Sequence, residues 1–250
     1  MKFHWEITQE DIEKISSFVE SNHTNIFVST RFTNNIEQKN ISLSDKNVWK
    51  HLTMCLLTTQ QRSGPKSQVK QFITQKSYPL DKSHLEKQKN IYQFVYKALT
   101  KFGGIRRTKS IAREIEHNLK LIISDQWDVV RSKLKSLRAN DSKENEREVA
   151  NYLDNTIRGF GPKQSRNFLQ SLGISKYEIP LDSRIIKWFN GFGFPIKLNS
   201  SMLSNVEMYI FIEDAIQELC KRAKVYPTIL DACIFSSFDG NDWEDVEVIW

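Results

Sequence analysis

A lysine that follows two closely spaced glycines and a proline is the part of this sequence with the clearest chemical potential. The glycines are Gly159 and Gly161, and Pro162 and Lys163 come directly after them, before apolar residues at helical spacing. Proline suits the first turn of a helix, since its missing N–H would have no partner there. Glycines let the backbone turn tightly and approach another molecule closely. The sequence therefore predicts a turn whose amides, at the positive end of a helix dipole, bind a phosphate.

Lys163 lies in the first turn of the predicted helix, where the helix dipole and partial burial both disfavour a protonated amine. They favour the neutral amine that a nucleophile requires. Asp182 follows Pro180, where the next helix is expected to begin. Taken singly, a solvated lysine, an ordinary turn and a helix-capping aspartate would explain these residues. Taken together, they predict an amine nucleophile with a carboxylate beside it.

These residues resemble the helix-hairpin-helix DNA glycosylases. The family pattern is hydrophobic-x-Gly-hydrophobic-Gly, a lysine two residues on in lyase members, and then Pro-hydrophobic-Asp. It is matched here by Ile157, Gly159, Phe160, Gly161, Lys163, Pro180, Leu181 and Asp182. The lysine marks the bifunctional branch, which holds the 8-oxoguanine glycosylase/lyases and endonuclease III. The resemblance implies that Lys163 and Asp182 are catalytic and that Gly159, Phe160 and Gly161 contact DNA.

Two further stretches resemble DNA-facing segments of the same glycosylases. An apolar helix ends in Leu-Leu-Thr-Thr and then Gln60 and Gln61, as in members whose following loop lies at the DNA. This implies that Gln60, with or without Gln61, enters the gap left by an extruded nucleotide, where an amide can donate and accept. Arg106 and Lys109 resemble a segment of the archaeal-type enzymes and are expected to contact the DNA backbone. A solvated helix end and a solvated helix face are the open alternatives.

The expected pocket for the flipped base comes from the end of the chain. The pattern Pro-x-x-Leu-Asp-x-x-x-Phe over 227–235 resembles the closing helix of these glycosylases, and a flipped purine needs an aromatic face for stacking. The candidates for this pocket are Asp231, Phe235, Trp243 and Trp250, with Trp49 as a further aromatic side chain. Packing in the core or on the surface is the alternative for each. The sequence closes on Trp250, where the resemblance leads us to expect a lysine.

Composition narrows the class of protein. Over 250 residues there are 36 Lys and Arg and 30 Asp and Glu, and the net charge of +6 fits a nucleic-acid partner without requiring one.

The three cysteines, Cys55, Cys220 and Cys233, stand in apolar surroundings and predict buried, reduced thiols of an intracellular protein. They cannot form the four-cysteine cluster of endonuclease III, so we expect no iron–sulfur cofactor and no metal, and the 8-oxoguanine branch is favoured. Neither a signal peptide nor a membrane span is expected.

Apolar residues recur at helical spacing along almost the whole chain, which predicts an all-α fold, with helices that include about 63–76, 81–102 and 203–224. The resemblance implies two helical subdomains with a DNA-binding cleft between them. One would comprise 1–65 and 183–250, and the other 66–182, with the helix-hairpin-helix motif at about 144–172. The segment 25–41 is the exception, because Ile-Phe-Val-Ser-Thr within it is typical of a short strand or extended arm.

The sequence thus predicts a bifunctional DNA N-glycosylase and AP lyase of base excision repair that removes 8-oxoguanine. Lys163 would attack the sugar C1′, form a Schiff base and cut the strand by β-elimination. The expected partner is double-stranded DNA with a damaged base, bound by a monomer. No membrane association is expected, and the expected location is inside the cell, with the DNA. Two alternatives stay open: a glycosylase of the same fold for another damaged base, and a non-catalytic hairpin module that only binds DNA.

Overall fold

The computed structural model describes residues 5–39 and 41–238, and within these ranges all regular structure is helical. The all-α prediction is therefore confirmed. The helices are α1 (Gln9–Asn22), α2 (Ile26–Arg31), α3 (Asp45–Leu57), α4 (Gln68–Ile73), α5 (Lys82–Leu85), α6 (Ile91–Phe102), α7 (Thr108–Ile122), α8 (Gln126–Ala139), α9 (Lys143–Thr156), α10 (Pro162–Ser171), α11 (Ser183–Phe192), α12 (Val206–Arg222) and α13 (Pro227–Ser237), with a π-helical turn at Phe32–Ile36 and a 3-10 turn at Met202–Ser204.

Side-chain caps explain where several helices begin. An N-terminal cap accepts a hydrogen bond from a backbone N–H that has no partner within the helix. Thr8, Ser44, Asp81 and Ser142 do so at the starts of α1, α3, α5 and α9. Thr8 and Asp11 form a reciprocal capping box. Local chemistry therefore fixes these boundaries.

The predicted strand or extended arm before α3 is wrong, because Ile26–Arg31 is a helix. Asn25 caps it, accepting from the N–H of Phe27 at 2.9 Å. Phe27 and Val28 are buried, and the Phe27 ring stacks on Phe235 of α13 with centroids 5.0 Å apart. Packing of this apolar face outweighs the strand preference of its β-branched residues.

Three predicted helices are shorter or interrupted. The helix expected over 63–76 is only α4, which starts after the cap Ser67. The single helix expected over 81–102 is split into α5 and α6, because the Asn90 side chain caps a new helix. The helix expected from 203 begins at Val206, after the 3-10 turn. In each case a capping residue inside the apolar pattern sets the boundary.

Two hydrophobic clusters make up the core, and α13 belongs to both. The first is built on α2 to α10, with Trp49 and Phe168 among its largest members. The second is built on α1, α11 and α12. On α13, Cys233 packs in the first cluster and Ile234 in the second. The division into 1–65 with 183–250 and 66–182 stays a prediction.

Buried side chains settle some smaller expectations. The three cysteines are buried and carry free thiols. Trp49 is 1% exposed, and its indole N–H donates to the carbonyl of Leu80 at 2.8 Å, so it packs in the core and offers no face to a base. No helix within the described ranges has the length and hydropathy to cross a membrane.

Candidate active site and DNA-facing cleft

An open cleft of about 1190 Å³ runs between the end of α3, the loop before α7, the hairpin before α10 and the start of α11. Eight of the predicted site residues line it: Gln60, Gln61, Arg106, Gly159, Phe160, Gly161, Lys163 and Asp182. Lys109 is an exposed residue of α7 and is not among the lining residues. The cleft thus gathers residues from four distant parts of the chain.

The hairpin turn requires glycine at one of its two positions. Gly159 has φ +90°, and a Cβ there would lie 2.5 Å from Glu114 Cδ. Gly161 has negative φ, and a Cβ there would meet nothing within 4 Å. The buried Asn118 of α7 fixes the turn, since Arg158 N–H donates to its side-chain oxygen and its amide donates to Arg158 C=O, both at 2.9 Å. The fold therefore holds the hairpin rigidly on α7.

The amide groups of this turn are not all available to a phosphate. Phe160 N–H donates to Ile157 C=O at 3.1 Å, so the expectation that every amide from Gly159 to Gly161 is free is wrong for Phe160. The Phe160 ring packs edge-on against Phe168, with centroids 5.5 Å apart. DNA contacts by Gly159, Phe160 and Gly161 stay a prediction.

Lys163 and Asp182 stand next to each other at the edge of the cleft. Lys163 Nζ lies 3.7 Å from Asp182 Oδ2, and their side chains are 39% and 17% exposed. Asp182 Oδ1 caps α11, accepting from the N–H groups of Arg184 at 2.8 Å and Ile185 at 3.2 Å. Capping and contact with the amine therefore use different oxygens of one carboxylate, so Asp182 can serve both purposes.

A polar contact docks the helix of Lys163 onto the end of α3. The buried Gln164 donates to Thr59 Oγ1 at 2.8 Å, and the hydroxyls of Thr58 and Thr59 donate back to Cys55 C=O. The Leu-Leu-Thr-Thr ending of α3 thus orients α10 as well as leading to the cleft. Sequence reasoning missed this role, because the partners lie far apart along the chain.

The two glutamines after α3 have different surroundings. Gln60 is exposed, with φ +58°, a backbone conformation that is uncommon outside glycine and often marks a functional position. The side chain of Gln61 donates to Leu57 C=O and accepts from the N–H of Arg106 at 2.8 Å. Gln61 therefore connects the loop before α7 to the end of α3. Insertion of either glutamine into the gap left by an extruded nucleotide stays a prediction.

A second, small and partly enclosed cavity of about 30 Å³ lies beside the lysine, lined by Lys163, Asp182, Asp231, Phe235, Phe27, Arg31, Thr58, Ser63, Asn167, Gln170 and Pro180. Burial raises the pKa of Asp231 to about 7, against the opposing charge of Arg31. The Arg184 guanidinium lies 4.1 Å from the centroid of the Phe235 ring. Trp243 and Trp250, also predicted for the base pocket, lie outside the described residues.

A buried ionic network joins the two segments that carry the lysine and the aspartate. Arg166 of α10 is 1% exposed and contacts Glu178 at 2.7 Å and Glu213 at 3.0 Å. Arg147 of α9 contacts Glu178 at 3.1 Å. Burial, together with the charge of Glu178, raises the pKa of Glu213 to about 8. The sequence shows these charges at core-facing helix positions, but nothing in it indicates that they meet.

A further buried carboxylate shapes the turn after α10. Glu146 of α9 accepts from the hydroxyl of Ser175 and from the N–H groups of Lys176, Tyr177 and Glu178, at 2.7 to 3.0 Å. Burial raises its pKa to about 7. Within the described ranges, no three or more His, Cys, Asp or Glu side chains are grouped so as to hold a metal ion.

The structure is similar to solved 8-oxoguanine DNA glycosylases. The enzyme of Methanocaldococcus jannaschii gives a TM-score of 0.66 at 18% identity, covering 90% of this chain and 91% of that one. The same enzyme in complex with a 15mer DNA containing 8-oxoguanine gives 0.67 at 16% identity, covering 89% and 95%. The enzyme of Thermotoga maritima gives 0.64 at 13% identity, covering 91% and 95%. These likenesses show a shared fold.

The sequence comparisons agree with the fold. Relatives named 8-oxoguanine DNA glycosylase/AP lyase include one from Sulfolobus acidocaldarius, 22% identical over 195 residues, or 77% of this chain and 82% of the relative. One from Thermoplasma volcanium is 30% identical over 94 residues, 38% of this chain and less than half, 43%, of the relative. Residues 29–225 match the family model described as 8-oxoguanine DNA glycosylase. Because that match spans most of the chain, this protein belongs to the 8-oxoguanine DNA glycosylase family.

Proposed function

We propose that this protein is a bifunctional DNA N-glycosylase and AP lyase that removes 8-oxoguanine from double-stranded DNA in base excision repair. The observation that carries the proposal is the 3.7 Å separation of Lys163 Nζ and Asp182 Oδ2 at the edge of a cleft that the hairpin borders. The names of the relatives and the DNA bound to the Methanocaldococcus jannaschii enzyme support the same reaction.

The proposed reaction begins with Lys163 as a neutral amine. Its nitrogen forms a bond to C1′ of the sugar while the bond from C1′ to the base breaks, and the base leaves with that electron pair and takes up a proton. Loss of the amine proton and opening of the sugar ring give a Schiff base. The Schiff base acidifies the C2′ hydrogen, and its removal expels the 3′ phosphate by β-elimination.

Asp182 is proposed to receive the amine proton and to stabilise the positive charge that develops on the sugar. A separation of 3.7 Å exceeds the length of a good N–H···O hydrogen bond, about 2.7–3.2 Å. Catalytic contacts of this kind are often long without substrate and shorten when it binds. The cap at the start of α11 holds one oxygen of Asp182 in place, and the other oxygen faces Lys163 and also lies 3.8 Å from Arg184 Nη1.

DNA binding is proposed to use the rim of the cleft. Gly159 and Gly161 allow close approach to a phosphate, and Arg106 at the cleft and Lys109 on the exposed surface of α7 contribute positive charge, so these contacts position DNA without reading its sequence. Gln60, exposed and held in an uncommon backbone conformation, is proposed to fill the place of the flipped nucleotide. Because the residues of the site all come from one chain, a monomer suffices.

The small cavity beside Lys163 is proposed as the closed form of the base pocket. Its volume of about 30 Å³ is far below the roughly 300 Å³ at which ligand pockets begin. The guanidinium of Arg184 lies over the Phe235 ring, so it must move before a base can stack there. Asp231 would then bond the edge of the purine. Its half-ionisation near pH 7 predicts that recognition of the base depends on pH around neutrality.

Reductive trapping tests the proposal. Borohydride reduces a Schiff base to a stable bond, so the protein should form a covalent adduct with a duplex that contains 8-oxoguanine. Lys163→Gln should abolish the adduct, whereas Lys135→Gln, at an exposed position of α8 away from the cleft, should leave it unchanged. An undiminished adduct in Lys163→Gln would overturn the lysine assignment.

A panel of duplexes identifies the lesion. Each duplex carries 8-oxoguanine, an oxidised pyrimidine, an alkylated purine or an undamaged guanine, and the released base is measured under single-turnover conditions. The proposal predicts the fastest release from 8-oxoguanine. Faster release of another lesion would assign a different substrate to the same site, and salt-sensitive binding without any release would indicate a module that only binds DNA.

A further inference from the structure

The hydroxyl of Tyr209, in α12, forms hydrogen bonds with the backbone on both sides of Pro180, two residues before Asp182. Its hydroxyl donates to Ile179 C=O at 2.9 Å and accepts from Leu181 N–H at 2.8 Å. Pro180 between them has no N–H, so this part of the segment depends on partners outside the local backbone. Burial raises the pKa of the Tyr209 phenol well above its ordinary value, so the phenol stays neutral and can donate.

The same helix also binds the N–H of Ile179 and the helix that carries Lys163. Glu213 accepts from Ile179 N–H and from Arg166 Nε, both at 3.0 Å. The Arg166 guanidinium lies 4.9 Å from the centroid of the Tyr209 ring. α12 is therefore the common support of the two segments that bring Lys163 and Asp182 together.

We propose that Tyr209 is a positioning residue, whose hydroxyl sets where Asp182 stands relative to Lys163. The proposal rests on the proposed function, because it assumes the roles of those two side chains. Leu181 is bonded directly to Asp182, so any movement of its amide moves the carboxylate. Tyr209 borders the cleft but is only 1% exposed, so it acts on the reaction through Asp182 and not by touching DNA.

Loss of the hydroxyl would leave a buried N–H and a buried C=O without a partner. Such groups are costly in a protein interior, so the segment is expected to shift until water or another group satisfies them. A misplacement of about 1 Å in a catalytic group can lower a rate by about a hundredfold. DNA affinity, which the rim of the cleft supplies, should not change. The signature of a positioning role is thus a slower reaction at an unchanged dissociation constant.

The test compares Tyr209→Phe with the wild-type protein. It measures single-turnover release of 8-oxoguanine, strand cleavage at a preformed abasic site, and the dissociation constant for the lesion duplex. We expect both rates to fall by about tenfold or more, with the dissociation constant unchanged within about twofold. Both rates should fall together, because Asp182 serves the lysine in both reactions.

Tyr78→Phe is the matched control. The Tyr78 hydroxyl donates to Thr53 Oγ1 at 2.9 Å, and Tyr78 does not line the cleft. This variant also loses a buried tyrosine hydroxyl, with one hydrogen bond where the Tyr209 hydroxyl makes two, so a fall in melting temperature of equal or smaller size is expected. Its two rates should stay at the wild-type level. Equal rate losses in Tyr78→Phe and Tyr209→Phe would overturn the positioning role, and so would a wild-type rate in Tyr209→Phe.

A backbone substitution covers the case in which Tyr209→Phe does not fold. Replacing Leu181 by its α-hydroxy analogue removes the N–H that donates to Tyr209 and leaves both side chains intact. We expect the same loss of rate, and a wild-type rate would overturn the proposal. If the wild-type protein releases no base from any lesion duplex, the proposed function itself is wrong. If it does and Tyr209→Phe matches the control, only the positioning role is wrong.

Discussion

Two basic side chains one turn apart on α10 have opposite surroundings. Lys163 is 39% exposed, and its amine lies 3.7 Å from Asp182 at the edge of the cleft. Arg166 is 1% exposed, and its guanidinium contacts the buried carboxylates of Glu178 and Glu213 at 2.7 and 3.0 Å. One helix thus carries a loose, open ion pair and a tight, closed one, separated by a single turn.

The difference indicates that the two ion pairs have separate roles. Removing one partner of a buried pair leaves an uncompensated charge, so such a network resists rearrangement and fixes the backbone around it. An exposed pair contributes little to stability and can rearrange when a substrate arrives. The Arg166 network holds α10 and the segment before α11 in register, and the Lys163–Asp182 pair at their ends remains available for chemistry. Of the following changes, the first two each break one pair and leave the other intact, and the third tests the hairpin next to Lys163.

Glu213→Ala should give the largest effect, and it should fall on stability. The change removes a buried partner of Arg166 and the acceptor for Ile179 N–H. We expect the free energy of unfolding to fall by about 3–5 kcal/mol, measured by urea titration. A loss below about 1 kcal/mol, within the range of exposed pairs, would mean that the network does not hold these segments together.

Asp182→Asn should affect the reaction and spare the fold. Asparagine caps helices about as well as aspartate, so the free energy of unfolding should stay within about 0.5 kcal/mol of the wild-type value. Loss of the negative charge should slow single-turnover base release by about a hundredfold without weakening binding of the duplex. Asp182→Ala also removes the cap and should destabilise by about 1 kcal/mol. Equal loss of binding and rate in Asp182→Asn would make the residue structural.

The two hairpin glycines offer the smallest and best matched comparison. Gly159→Ala places a Cβ at φ +90° and 2.5 Å from Glu114 Cδ, so it should cost about 1–2 kcal/mol of stability. Gly161→Ala meets no atom within 4 Å and should leave stability nearly unchanged. If the hairpin grips a phosphate, Gly161→Ala should still weaken DNA binding in a gel-shift titration. Equal melting temperatures for the two variants would contradict the geometry.

The parts of the site that the sequence predicts are those that local chemistry fixes. The turn at Gly159, the helix start at Pro162 and the cap at Asp182 each depend on a few neighbouring residues. The Gln164–Thr59 hydrogen bond joins residues 105 positions apart, and the bonds between Asn118 and Arg158 join residues 40 apart. Such contacts exist only after the helices have packed, and no periodicity in the chain indicates them.

Errors in the predicted fold have the same origin. The residue types of 26–31 predict a strand, but packing against α13 stabilises a helix there. The sequence also does not indicate that the charged side chains of Arg166 and Glu213 are buried, because a single charged residue in a helix is usually exposed to solvent. Their contacts with each other, with Glu178 and with Ile179 N–H exist only in the folded chain and explain their burial.

If Lys163 is the nucleophile, the covalent bond to the sugar forms on its amine, and this bond can be located directly in the unaltered protein. The borohydride-trapped adduct is digested with protease and nuclease, and the residue that carries the reduced sugar remnant is identified by mass spectrometry. The remnant should lie on Lys163. A remnant on any other amine, with Lys163 unmodified, would contradict this assignment.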